Sequence, residues 1–187
     1  MADTSVRSRN AAGLAPTIAF GAALVIVAVA AVGWNPQLLG LTAIALVTWP
    51  LAVTDIAEHR LPNRLVLPCY PAALAGVLLE TVLTGRSPLP ALVGMVACVT
   101  GFIVLHVLGG MGMGDVKLAG VLGLCLGGLG PSALPAGLLA AFVLGGAAGA
   151  WAMATQHRAS THRIPFGPFL LAGLWLGVVA AGWERAL

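Results

Sequence analysis

Asp55 and Asp115 each stand at the edge of a long apolar stretch, in a chain that spends few residues on charge. A carboxylate in such a setting is costly and calls for a reason. Two carboxyl groups a few ångströms apart cannot both ionise easily, so they share a proton and titrate as a coupled pair. Such a pair supplies a base and an acid together. In peptide hydrolysis the ionised member takes a proton from attacking water, the protonated member donates to the carbonyl oxygen, and no covalent intermediate is needed. On position alone a plainer reading also stands: Asp115 caps a helix N-terminus, where a carboxylate is favoured, and Asp55 is interfacial.

The flanking residues favour chemistry. Asp115 lies in Gly109-Gly110-Met111-Gly112-Met113-Gly114-Asp115-Val116-Lys117-Leu118, where glycines allow close approaches that other residues resist. That loop can admit an extended substrate backbone. Asp55 is followed by Ile56-Ala57-Glu58-His59-Arg60-Leu61-Pro62-Asn63, read as a polar turn ending where proline opens the next helix. Lys117 is a candidate to tune the aspartates or bind a carboxylate, Glu58 to attract a basic peptide, and Arg60 and Arg64 to anchor the loop to headgroups. The remaining acids have other settings: Asp3 and Glu184 near the termini, and Glu80 about 25 Å from Asn63 at 1.5 Å per residue, too far to join the aspartates. His59, His106, His157 and His162 show no metal-ligand spacing, and Cys69, Cys98 and Cys125 are scattered singly through apolar segments. No metal or cofactor is expected.

The elements that must position these residues are helices in a bilayer. Of 187 residues, 59% are hydrophobic and 8% charged, and the mean hydropathy of +1.00 lies outside the soluble range. Apolar blocks at about 17–34, 38–54, 65–83, 89–108, 116–129, 134–155 and 166–183 have the length a helix needs to cross a ~30 Å hydrocarbon core. Strand periodicity is absent. The expectation is an all-α, polytopic integral membrane bundle of about seven transmembrane helices, the fifth short, glycine-rich and inside the bundle.

Alternate loops divide the basic residues unequally. With the N-terminus cytoplasmic, inner segments hold Arg7, Arg9, Arg60, Arg64, Lys117, Arg158 and Arg163, and outer ones only Arg86 and Arg185. Cytoplasmic loops usually carry that excess. Asp55 and Asp115 then share the inner membrane edge, and Trp34 and Trp183 fall at the outer interface. The net charge of +3 is thus a topology signal, and a nucleic-acid partner has no support. The chain reads as one membrane domain over 1–187: a polar cytoplasmic tail at 1–16, an extra first span at 17–34 and a six-helix core at 38–183. Ala28-Val29-Ala30 resembles a signal-peptide cleavage site, but a retained first span is preferred because the block is long and many spans follow.

Gly112-Met113-Gly114-Asp115 with Val116-Lys117-Leu118, and Asp55 followed by Leu61-Pro62-Asn63, resemble the two aspartate motifs of the type IV prepilin peptidases, membrane aspartic proteases of the Gly-x-Gly-Asp group. Ile164-Pro165-Phe166-Gly167-Pro168-Phe169-Leu170 is similar to a Pro-Phe-Gly-Pro signature of the same family. All three occur in the family's order, and the resemblance runs from about residue 38 to the end. It implies that Asp55 and Asp115 are catalytic. The expected substrate is a prepilin-like or pseudopilin-like protein with a short basic leader before a hydrophobic helix, cut at the cytoplasmic face of a bacterial or archaeal inner membrane. Gly112, Gly114, Lys117, Pro62, Asn63, Pro165, Phe166, Gly167, Pro168 and Glu58 are the supporting or substrate-binding candidates, with Pro165, Gly167 and Pro168 leaving backbone groups free to hold an extended strand. Larger family members carry a cytoplasmic domain with paired cysteines associated with N-methylation; the chain resembles the short, peptidase-only form found with pili and related secretion systems. Two alternatives remain at this point: a proton-coupled transporter, and a noncatalytic membrane subunit of a secretion machine.

Overall fold

In a computed structural model, the described residues are 3–109, 111–155 and 165–186, with side chains from residue 15 onward. The Arg7 and Arg9 side chains, and His157, Arg158, His162, Arg163 and Ile164, lie outside the described residues. The chain is all helical there: α1 Asp3–Val32, α2 Leu38–Glu58, α3 Asn63–Val66, α4 Cys69–Thr84, α5 Leu89–Val107, α6 Met113–Leu129, α7 Ala133–Thr155 and α8 Gly167–Ala186. Six segments are long and apolar enough to cross a membrane: Ala15–Val32, Leu38–Glu58, Asn63–Thr84, Leu89–Val107, Ala133–Thr155 and Gly167–Ala186. This is a polytopic helical membrane bundle.

The other long helix, α6, has 17 residues, about 26 Å at 1.5 Å per residue. It is buried nearly from end to end and packs against α4, α5, α7 and α8, the interior place that its length and glycines suggested. Small residues set how near the neighbours come. A Cβ on Gly94 would sit 2.5 Å from the Gly123 carbonyl oxygen, and one on Gly127 2.6 Å from that of Pro90. Glycine pairs α7 with α8 similarly, through Gly137 and Gly173.

Several boundaries differ from the sequence expectation. α2 runs one turn beyond 54, to Glu58, because Ile56, Ala57 and Glu58 tolerate helix. It stops at His59, which takes a left-handed conformation at φ 52° and donates its N–H to the Asp55 carbonyl at 2.9 Å. The third block is two pieces, α3 and α4, broken around Pro68, since proline disfavours helix in the residue before it. α1 continues through Pro16 back to Asp3, where a polar tail was expected.

The ends of the helices divide the loops between two faces. Residues 59–62, 108–109 and 111–112 lie at one end of the bundle; 33–37, 85–88 and 130–132 lie at the other, where the Arg185 guanidinium donates to the carbonyls of Val32 and Leu129. Trp34 and Trp183, 89% and 70% exposed, belong to that second end.

Candidate active site

Asp55 lies in the last turn of α2 and Asp115 in the first turn of α6. They are 4% and 9% exposed, yet both line one cavity of about 300 Å³, together with His59, Arg60, Leu61, Asn63, Gly112, Met113, Gly114 and Lys117.

Each aspartate is oriented by the backbone amide of a glycine. Gly112 N–H donates to Asp115 Oδ2 at 3.1 Å, so the side chain folds back to the residue that caps its own helix and satisfies a terminal donor. Among the described residues Asp115 Oδ1 has no hydrogen-bond partner. Gly167 N–H, at the start of α8, donates to Asp55 Oδ2 at 2.9 Å. The positive end of α8 therefore faces that carboxylate. This amide, a candidate for holding a substrate strand, is spent on Asp55 instead. Trp175 Nε1 donates to Thr48 Oγ1 at 3.3 Å, bracing α8 against α2 two turns away.

Leu61 joins the three motifs. A Cβ added to Gly114 would lie 2.9 Å from Leu61 Cβ, and one added to Gly167 would lie 3.2 Å from Leu61 Cδ2. Glycine at both positions leaves the leucine room to wedge between α6 and α8 beside the aspartates. The sequence places Leu61 in the first aspartate motif but gives it no role, because a leucine carries no chemical signal in so apolar a chain. The sequence raises His106 only as a metal ligand; its Nδ1 lies 2.7 Å from the Met111 carbonyl oxygen and ties down the loop before Gly112.

The other candidates divide. Lys117 Nζ donates to Asn63 Oδ1 at 3.0 Å, which puts both at the cavity wall, and Tyr70 Oη donates to the Lys117 carbonyl at 2.8 Å. Pro62 starts α3. Phe166 stacks between Phe142 and Phe169, away from the cavity lining, and Pro165 and Pro168 are half-buried beside it. Glu58 is exposed and does not line the cavity. Among the described residues no three His, Cys, Asp or Glu side chains gather as a metal site, and the three cysteines are buried and unpaired.

The cavity has room for water beside both carboxyl groups. Comparison with known proteins bears on what such a site does. The model of the type IV leader peptidase family matches residues 41–150, a stretch containing both aspartates. Similar curated proteins are the prepilin leader peptidase/N-methyltransferases of Aeromonas salmonicida, 35% identical over 79% of this chain and 50% of that protein, of Bacillus subtilis, 33% over 66% and 48%, and of Burkholderia pseudomallei, 35% over 78% and 44%. The chain spans about half the length of these relatives. No solved structure gives a significant match.

Proposed function

The chain belongs to the type IV leader peptidase family, and from that premise we propose that it is an aspartic endopeptidase removing the short basic leader of a prepilin-like protein, with Asp55 and Asp115 as the catalytic pair. One observation carries the reading: two acids far apart in the chain line one cavity at one end of the bundle.

The ionised aspartate takes a proton from the water as its oxygen bonds to the scissile carbonyl carbon, and the protonated aspartate donates to the carbonyl oxygen. The tetrahedral gem-diol collapses as its C–N bond breaks: the aspartate that took the water proton gives it to the leaving nitrogen, and the other aspartate takes a proton from a gem-diol hydroxyl as the carbonyl re-forms, which restores the singly protonated pair. The glycine amides contribute by fixing one oxygen of each carboxyl group, so the geometry is set before substrate arrives. An extended peptide is required, because a helix ties its carbonyls into its own hydrogen bonds. Gly112 and Gly114, which line the cavity beside the aspartates, leave room for such a strand. The proposal is confined to this peptidase step and does not include N-methylation.

Sidedness follows from charge. Arg60, Arg64 and Lys117 stand at the aspartate end and Arg86 and Arg185 at the other, which favours a cytoplasmic active site in a bacterial inner membrane. A basic leader is held on that side by the same rule, so the scissile bond and the aspartates share a face. The first span, α1, packs on α2 and α8 rather than contributing to the cavity.

The test is co-expression with a candidate prepilin bearing a basic leader. The native chain should convert it to the faster-migrating form, while Asp55→Asn and Asp115→Asn should leave it full length; full conversion by either variant rejects the dyad.

A further inference from the structure

A second cavity, of about 340 Å³, opens at the opposite end of the bundle and includes Gln37, Glu80, Arg86, Ser87, Gly128 and Gly130 in a wall that is otherwise largely apolar. It has no part in the proposed peptidase chemistry. Gln37 is 8% and Glu80 7% exposed, so both side chains are removed from bulk water. Gln37 Nε2 donates to the Gly128 carbonyl at 3.0 Å. That bond fixes which way the amide faces and leaves Gln37 Oε1 without a partner among the described residues, as is Glu80 Oε2. Glu80 Oε1 is 3.7 Å from Arg86 Nη1, an ion pair too long to be a hydrogen bond.

A buried acceptor without a donor is costly, and native proteins seldom leave two in one place. What they lack is a group with several N–H donors, and the carboxylate favours a positive one. The guanidinium at the rim adds the opposite requirement. The Arg86 side chain is 62% exposed and stands ready for an anion. A ligand that suits both carries a primary ammonium a few ångströms from an anionic group. Three loops converge here, with Trp34 and Trp183 exposed at the same end, the level where amphipathic aromatics meet headgroups.

From this arrangement we propose that the cavity binds the phosphoethanolamine headgroup of a membrane lipid, its ammonium on Glu80 Oε2 and Gln37 Oε1 and its phosphate on Arg86. Choline headgroups share the phosphate but have no N–H to donate. The polar pair therefore selects between lipids that Arg86 treats alike.

The test is native mass spectrometry of the purified full chain with equimolar phosphatidylethanolamine and phosphatidylcholine of identical acyl chains. The native chain should retain one phosphatidylethanolamine with about tenfold or greater preference, the size of a charge-assisted hydrogen bond. Glu80→Gln keeps the shape but removes the charge and should bring the ratio towards one. Arg86→Ala, at an exposed position, should weaken both lipids and preserve the ratio. Free phosphoethanolamine should compete only weakly if the acyl chains contribute; displacement at equal concentration would reassign the site to a soluble amine. Equal retention of the two lipids by the native chain overturns the proposal without any variant, and so does a preference that survives Glu80→Gln.

Discussion

The backbone amide of Gly167 lies 2.9 Å from Asp55 Oδ2, so the start of the last helix orients a carboxylate carried by the second. A Cβ at this position would fall 2.6 Å from the same oxygen. Gly167→Ala should therefore turn Asp55 out of place without disturbing the bundle, lowering the rate of leader removal on the order of 10²-fold, as small misplacements of catalytic groups do. Initial cleavage rates and the thermal midpoint, measured together, separate that result from unfolding. An unchanged rate would show that Asp55 does not depend on this amide.

Leu61 is the wedge between Gly114 and Gly167. Leu61→Ala should loosen both aspartates at once, by removing the packing that keeps α6 and α8 in register beside α2. Activity should drop by about tenfold or more, whereas Leu61→Met, which conserves volume, should cost little. Comparing the two rates on one substrate checks whether shape at this position governs the site.

Lys117 and Asn63 hydrogen-bond at 3.0 Å on an accessible wall, where such contacts contribute only about 0–1 kcal/mol. Lys117→Met and Asn63→Ala should each leave the thermal midpoint nearly unchanged, and the double variant should add little to either. If the pair contacts substrate, the loss appears in KM; a large fall in the midpoint would instead make the contact structural.

Gly123 and Gly101 make a matched pair on the packing. Gly123 faces Gly94 of α5 so closely that a Cβ would strike its carbonyl, whereas a Cβ on Gly101 meets nothing within 4 Å. Gly123→Ala should destabilise by about 1–3 kcal/mol through overpacking. Gly101→Ala should be neutral or stabilising, up to about 1 kcal/mol, by helix propensity. Thermal unfolding of both variants in one detergent checks the contrast.

The spans, their order and the burial of the short glycine-rich helix were legible because apolar length and small residues carry direct physical meaning in a bilayer. The aspartates were legible because charge is rare in this chain. What holds them was not. A backbone amide donor has no residue type, so neither the Gly112 nor the Gly167 hydrogen bond leaves a trace in the sequence beyond the glycine itself. Leu61 stood out only as part of a motif, and nothing in its type told that it packs between two glycines. The turn after Asp55 was placed too early, since Ile56-Ala57-Glu58 reads as polar loop or as helix, and only the left-handed His59 settles where α2 stops.

The central claim is that Asp55 and Asp115 act as one unit on one water, and removing either member of such a unit should cost as much as removing both. The direct measurement is the cleavage rate of purified native, Asp55→Asn, Asp115→Asn and doubly substituted protein on one prepilin, with the released leader quantified by mass spectrometry. Both single variants should fall to the level of the double, at least about 10²–10⁴-fold below the native chain. A single variant that keeps substantial activity, or losses that add independently in the double, would contradict it.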